Sequence, residues 1–159
     1  MTANEEHYVH YVECIDSLNR AWAILQDLRM SEHKTAIHAA AFRYALVEYA
    51  KSYTRSDGIH KHGRNAYKLA EPTLSPGDLS LHRRILDLRN QVLAHSDLTL
   101  KEAVVYLGRY GGRASVGLAS DGRPPFPGID EVIGLIERSL DNMYVERTRL
   151  EESLAPAED

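Results

Sequence analysis

The sequence predicts an all-α protein: a four-helix bundle with one small β-hairpin inserted between the third and fourth helices. Three observations carry this expectation. Four stretches space their apolar residues by three and four, as helices packed on a common core require. Nowhere do strand-like and helix-like segments alternate, as a parallel sheet would demand. Residues 101–119 interrupt the helical spacing once, with two short β-prone runs about Tyr110-Gly111-Gly112.

The first helix runs from Asn4 to about Arg29. Tyr8, Val12, Ile15, Leu18, Trp22 and Leu25 hold helical spacing, and Glu5 and Glu6 stand in the first turn, where the helix dipole favours negative charge. Ser31 is the expected N-cap of a second helix ending near Tyr53. That helix is apolar on two sides, with Ile37, Ala41 and Tyr44 on one and Phe42, Leu46, Tyr49 and Tyr53 on the other. Such a pattern predicts a central helix flanked by partners on both sides. A long connection over 54–78 follows, rich in Gly, Pro, Asp and Ser. The third helix, capped near Asp78 or Ser80, carries Leu81, Ile85, Leu88 and Val92 and ends around His95 to Asp97. After DGRPPFPG the fourth helix places Ile129, Ile133, Ile136, Leu140, Met143, Leu150 and Leu154 on one stripe, and 151–159 forms an acidic tail.

The chain of 159 residues suits a single domain, 1–159, with 43% hydrophobic and 26% charged residues, an ordinary globular balance. Its one cysteine, Cys14, lies in an apolar-periodic stretch, which excludes an internal disulfide framework and fits a reducing cytoplasm. No apolar run approaches a membrane span, and the first residues lack a basic segment followed by an apolar one, so we expect a cytoplasmic protein with no membrane partner. A formal net charge of −4 argues against non-specific coating of nucleic acid and leaves room only for local contacts.

Several enzyme classes lack their motifs here. There is no phosphate-binding Gly-rich loop ending in Lys-Ser/Thr, no paired-cysteine motif and no serine elbow. His7 and His10, three apart on the first helix, have no third ligand in obvious register, so no metal and no cofactor is expected. His60 and His62 point apart if the long loop is extended. That loop is nonetheless locally basic, and Arg55, Lys61, His62 and Arg64, together with Arg84 on the third helix, are candidates to contact an RNA backbone. A solvated loop is the competing explanation.

The densest chemistry lies in LHRRILDLRNQVLAHSD, residues 81–97, where Arg89-Asn90 is followed by His95. Histidine can accept or donate a proton near neutrality, arginine offers a fork matched to phosphate oxygens, and the Asn90 amide can orient a ligand or the imidazole. Residues six apart on a helix are rotated by roughly 120° and displaced by about 9 Å. One chain therefore does not bring Arg89 and His95 together automatically. They converge where the helix ends, or in a site completed by a second subunit. Glu48, an awkward carboxylate on the Ile37–Ala41–Tyr44 side, is expected to pair with Arg89, which would make that arginine partly structural.

Arg89-Asn90, four residues, then His95, late in a helix of a four-helix domain, resembles the signature of the HEPN superfamily. That signature is an arginine, a polar residue, and a histidine, with four to six residues in all between arginine and histidine. SLHRRILDLRNQVLAHSD and FRYALVEYAKSYT are similar to text of abortive-infection-type members, and the helix order covers most of the chain. The resemblance implies a metal-independent endoribonuclease acting as a homodimer, with Arg89, Asn90 and His95 as catalytic residues, Glu48 in support, and a role as toxin or phage-defence effector. It also implies a possible antitoxin or other regulatory partner. Some such toxins carry a tyrosine two residues after the histidine, where an antitoxin modifies them; Asp97 stands there in this chain, so that form of regulation is not implied. The alternative is a non-catalytic HEPN-like helical module that binds RNA or a protein.

Overall fold

The computed structural model describes residues 2–31, 35–57, 66–90, 101–107, 114–121 and 126–154. These are mostly helical. Helix α1 spans Ala3–Met30, α2 Ala36–Ser52, α3 Pro76–Leu88 and α4 Ile129–Leu154. Strand β1 (Ser56–Asp57) pairs antiparallel with β2 (Ala66–Tyr67), and β3 (Lys101–Leu107) pairs antiparallel with β4 (Ala114–Asp121), with an irregularity between Glu102 and Ala103.

Each helix start has a chemical cause. At α1 the Thr2 hydroxyl accepts from the Glu5 N–H (3.3 Å) while the Glu5 carboxylate accepts from the Thr2 N–H (2.6 Å), a reciprocal cap for two otherwise unpaired donors. At α3 the Ser75 hydroxyl accepts from the Asp78 N–H, and Pro76 occupies the first turn, where its missing N–H costs nothing. At α4 the Glu131 carboxylate reaches back to the Gly128 N–H at 2.8 Å.

Helix α1 packs along both α2 and α4, and α3 touches α2 and α4. Leu18, Ala21 and Leu25 of α1, Leu46 and Tyr49 of α2, Ile85 of α3, and Val132, Leu135 and Ile136 of α4 are all fully buried in one cluster. Burying a Leu or Ile side chain contributes about 1.5–3 kcal/mol, against about 0–1 kcal/mol for an exposed ion pair. Apolar contact therefore decides how the helices meet. An extended strap over 68–75 is tied to three helices: the Leu69 N–H donates to Ser52 O (3.2 Å), Arg83 forks onto Glu71 (2.7 and 3.1 Å), and the Asn142 amide donates to Thr73 O (3.3 Å). Arg138 of α4 clamps Asp78 in the first turn of α3.

Two local expectations are corrected. Thr35, not Ser31, caps α2; Ser31 closes α1, its N–H donating to Leu28 O. Helix α3 starts at Pro76, earlier than an Asp78 or Ser80 cap implies, because Ser75 supplies the accepting hydroxyl. Among the described residues the two sides of α2 are covered unequally. Leu46 and Tyr49 are buried, whereas Ile37 and Tyr44 on the other side are 79% and 52% exposed. The expected course of the third helix from 91 to its end near Asp97, residues 58–65 of the long loop, and the acidic tail from 155 lie outside the described residues.

Candidate functional site

Arg89 and Asn90 follow directly on the last α-helical turn of α3. Ile85 and Leu88 are buried and fix that turn to the core, which carries Arg89 to a half-buried position and Asn90 to an exposed one. The Arg89 N–H donates to both Ile85 O and Leu86 O, and the backbone widens into π-type winding at Arg89 and Asn90. The Arg89 guanidinium donates through Nη1 to Asn90 Oδ1 at 2.9 Å. Asn90 thus holds the arginine. His95 lies outside the described residues, as do Lys61, His62 and Arg64.

Glu48 does not pair with Arg89. Its carboxylate, 2% exposed, accepts from Arg20 Nε at 3.1 Å and from Lys51 Nζ at 3.0 Å. Burial pushes the Glu48 pKa up, but hydrogen bonds from Lys51, Arg20 and Tyr44 outweigh it, so the carboxyl sits below its ordinary range. The partner from α1 and the lysine three residues along α2 are nearer than anything on α3. Among the described residues no carboxylate pairs with Arg89, and its guanidinium contact there is the one to Asn90. Of the remaining RNA-contact candidates, Arg55 is exposed, and Arg84 is half-buried beside Asp78 and Arg138.

A histidine that the apolar spacing concealed lies seven residues before Arg89. His82 is 2% exposed, and its Nδ1 is 2.8 Å from the Tyr49 hydroxyl. Its ring meets Tyr53 edge-on at 4.6 Å and Tyr49 at 5.8 Å. Burial lowers the His82 pKa, and the Arg83 and Lys68 charges lower it further against the opposing effect of Glu71. Burial thus favours the neutral imidazole. Seven residues span nearly two full turns, so His82 and Arg89 share one side of α3 about 10 Å apart along its axis. His82, Ile85 and Leu88 are spaced by three, and that register was the available signal.

A second histidine pair looks like a nucleophile with its base. Ser31 Oγ lies 2.6 Å from His38 Nε2, and Thr35 Oγ1 lies 2.9 Å from His38 Nδ1. The Thr35 N–H, however, donates to His38 Nδ1 at 3.3 Å, so that nitrogen accepts and the ring proton sits on Nε2, donated to Ser31. This is the reverse of what proton abstraction from a serine needs. The trio caps α2.

His7 and His10 each stack on Tyr67, at 5.9 and 5.3 Å between ring centres, and among the described residues no three His, Cys, Asp or Glu side chains gather around a common point. Cys14 is buried, its thiol pushed up to about 11 by desolvation, which makes it a packing residue rather than a nucleophile. No protein-family model, curated protein or solved structure matches this chain.

Proposed function

We propose that this chain is a metal-independent endoribonuclease of HEPN type, a four-helix bundle with a hairpin insertion, that cleaves RNA as a cytoplasmic homodimer. The observation that carries the reading is the state of Arg89. A half-buried guanidinium anchored by Asn90 through one N–H, with no carboxylate partner among the described residues, is a fork suited to an anion. A phosphodiester is the anion for which this fork is best matched. The competing explanation of Arg89, a buried pair with Glu48, loses its support because Glu48 is satisfied by Arg20 and Lys51.

The chemistry follows from the residue types. The ribose 2′-hydroxyl loses a proton to one imidazole and attacks the adjacent phosphorus; the 5′-oxygen leaves with a proton from a second imidazole. Each chain supplies one His95, so two chains supply the acid and the base, and paired Arg89 side chains stabilise the charge that builds on the phosphorane oxygens. Asn90 fixes the guanidinium plane. The uncovered apolar side of α2, with Ile37 and Tyr44, is a surface that a second copy would bury. A toxin or phage-defence role, restrained by an antitoxin or another regulatory protein, belongs to the same reading.

The test is cleavage of single-stranded RNA in EDTA by the parent, Arg89→Ala and His95→Ala proteins, each checked for an unchanged melting temperature. The reading expects EDTA-resistant cleavage by the parent and a loss of at least about a hundredfold in each variant, the usual scale for a general acid or base. Equal cleavage by parent and variants removes Arg89 and His95 from the chemistry. No cleavage by the parent across varied RNAs leaves a helical module that binds RNA or a protein without cutting it.

A further inference from the structure

Between α1, α4 and the strap lies a cleft of about 490 Å³, a size that admits a small organic molecule. It is separate from Arg89 and does not rest on the nuclease reading. Its walls are preformed, because the strap is tied to Ser52, Arg83 and Asn142 at successive points. Tyr11, Tyr53 and Met143 belong to the core and close the floor with two aromatic rings and a thioether. At the mouth the His7 ring stacks on Tyr67 and meets Tyr11 edge-on at 6.5 Å.

The charges that line this apolar floor come from different elements, an exposed Lys68 from the strap and Glu146 from α4. Lys68, on the strap, makes no ion pair among the described residues. Glu71 beside it is neutralised by the Arg83 fork. On α4, Glu146 is half-buried and among the described residues forms an ion pair with the exposed Arg149 at 3.3 Å. Glu146 lines the cleft, and burial with the Glu146 charge pushes the Tyr11 phenol up to about 12. The remaining polar groups look inward: the Ser139 hydroxyl donates to Leu135 O, and the Asn142 amide donates to Thr73 O and Arg138 O.

A cation from the strap, an anion from α4 and an apolar floor complement a molecule with both charges and an apolar body. We propose that the cleft binds a free apolar or aromatic α-amino acid, its carboxylate on Lys68, its ammonium on Glu146 and its side chain over Tyr11, Tyr53 and Met143. A simple anion would meet Glu146, and a simple cation would meet Lys68.

Binding is measured by isothermal titration of the full chain with L-phenylalanine and L-leucine, and with L-phenylalaninamide and N-acetyl-L-phenylalanine, each of which lacks one charge. The expected result is saturable binding of the free amino acids, weakened about tenfold or more in each derivative, the scale of a lost charge-assisted hydrogen bond. Lys68→Met should abolish the preference for acid over amide while keeping the preference for free over acetylated amine. Glu146→Gln should do the converse. Both substitutions are at the cleft rim, and an unchanged melting temperature confirms folding. Absence of saturable binding by either amino acid overturns the proposal. So does binding whose preferences survive both substitutions. RNA cleavage by the parent is scored separately, so failure of either idea leaves the other measurable.

Discussion

Acidification should weaken the fold through His82, and replacing this residue should remove that weakness. The imidazole is buried, with Nδ1 on the Tyr49 hydroxyl, the Tyr53 ring edge-on against it, and Glu71, Lys68 and Arg83 as the charges that act on it. Its folded pKa lies below the ordinary 6.5, so below that pH the unfolded chain binds a proton that the folded chain refuses. The stability His82 confers is thus fully present above 6.5 and is lost as pH falls through the folded pKa, by at most about 1.4 kcal/mol per pH unit. His10 acts in the same direction, its pKa lowered by burial and by His7, so the parent slope is shared. In His82→Phe the ring contacts persist but the Tyr49 hydroxyl loses its nitrogen partner, at a cost of about 1–3 kcal/mol at neutral pH. Urea melts of both proteins between about pH 7.5 and pH 5 separate these effects. The gap between parent and variant should shrink steadily with acid. Parallel curves would refute the assignment of the proton to His82.

Arg20→Ala should cost about 1–2 kcal/mol in urea melts above pH 5, because the buried Glu48 Oε2 loses its guanidinium partner. That cost should fade as pH drops through the lowered Glu48 pKa, since protonation removes the charge that Arg20 compensates. Asp78→Asn loosens the Arg138 clamp and removes a negative charge from the first turn of α3; a loss of about 1 kcal/mol that diminishes in high salt is expected from melts at two ionic strengths. Cys14 should resist iodoacetamide in the native protein near pH 8 and accept one equivalent in urea, as mass spectrometry will show, because its thiol is buried and held near 11.

Much of the helical layout was legible because apolar spacing is a direct consequence of packing. The stripe from Ile15 to Leu25 and that from Ile133 to Met143 became the two long walls of the core. The Ser75-Pro76 start of α3 was also written in the sequence, in a cap followed by a residue without an N–H, but Asp78 and Ser80 offered equally plausible caps. Helix α2 shows where pattern runs out. Periodicity says that Ile37 and Tyr44 want a partner, and it does not say whether that partner lies in the same chain. Glu48 shows a second limit: shared helical side suggested Arg89, while a lysine three residues away and an arginine on the neighbouring helix were closer. His82 escaped notice because a titratable residue on an apolar register is read as an edge until the two tyrosines that receive it, Tyr49 on α2 and Tyr53 at its C-cap, are placed opposite.

The central claim turns on the ribose 2′-hydroxyl as nucleophile. The direct measurement offers the protein, in EDTA, an RNA oligonucleotide that it cleaves and the same oligonucleotide with a single 2′-deoxy residue at the cleaved position, and identifies the product ends by mass. The account predicts a 2′,3′-cyclic phosphate from the first and no cleavage at that position in the second. Cleavage of the deoxy position, or a 3′-hydroxyl product from the RNA, would contradict it.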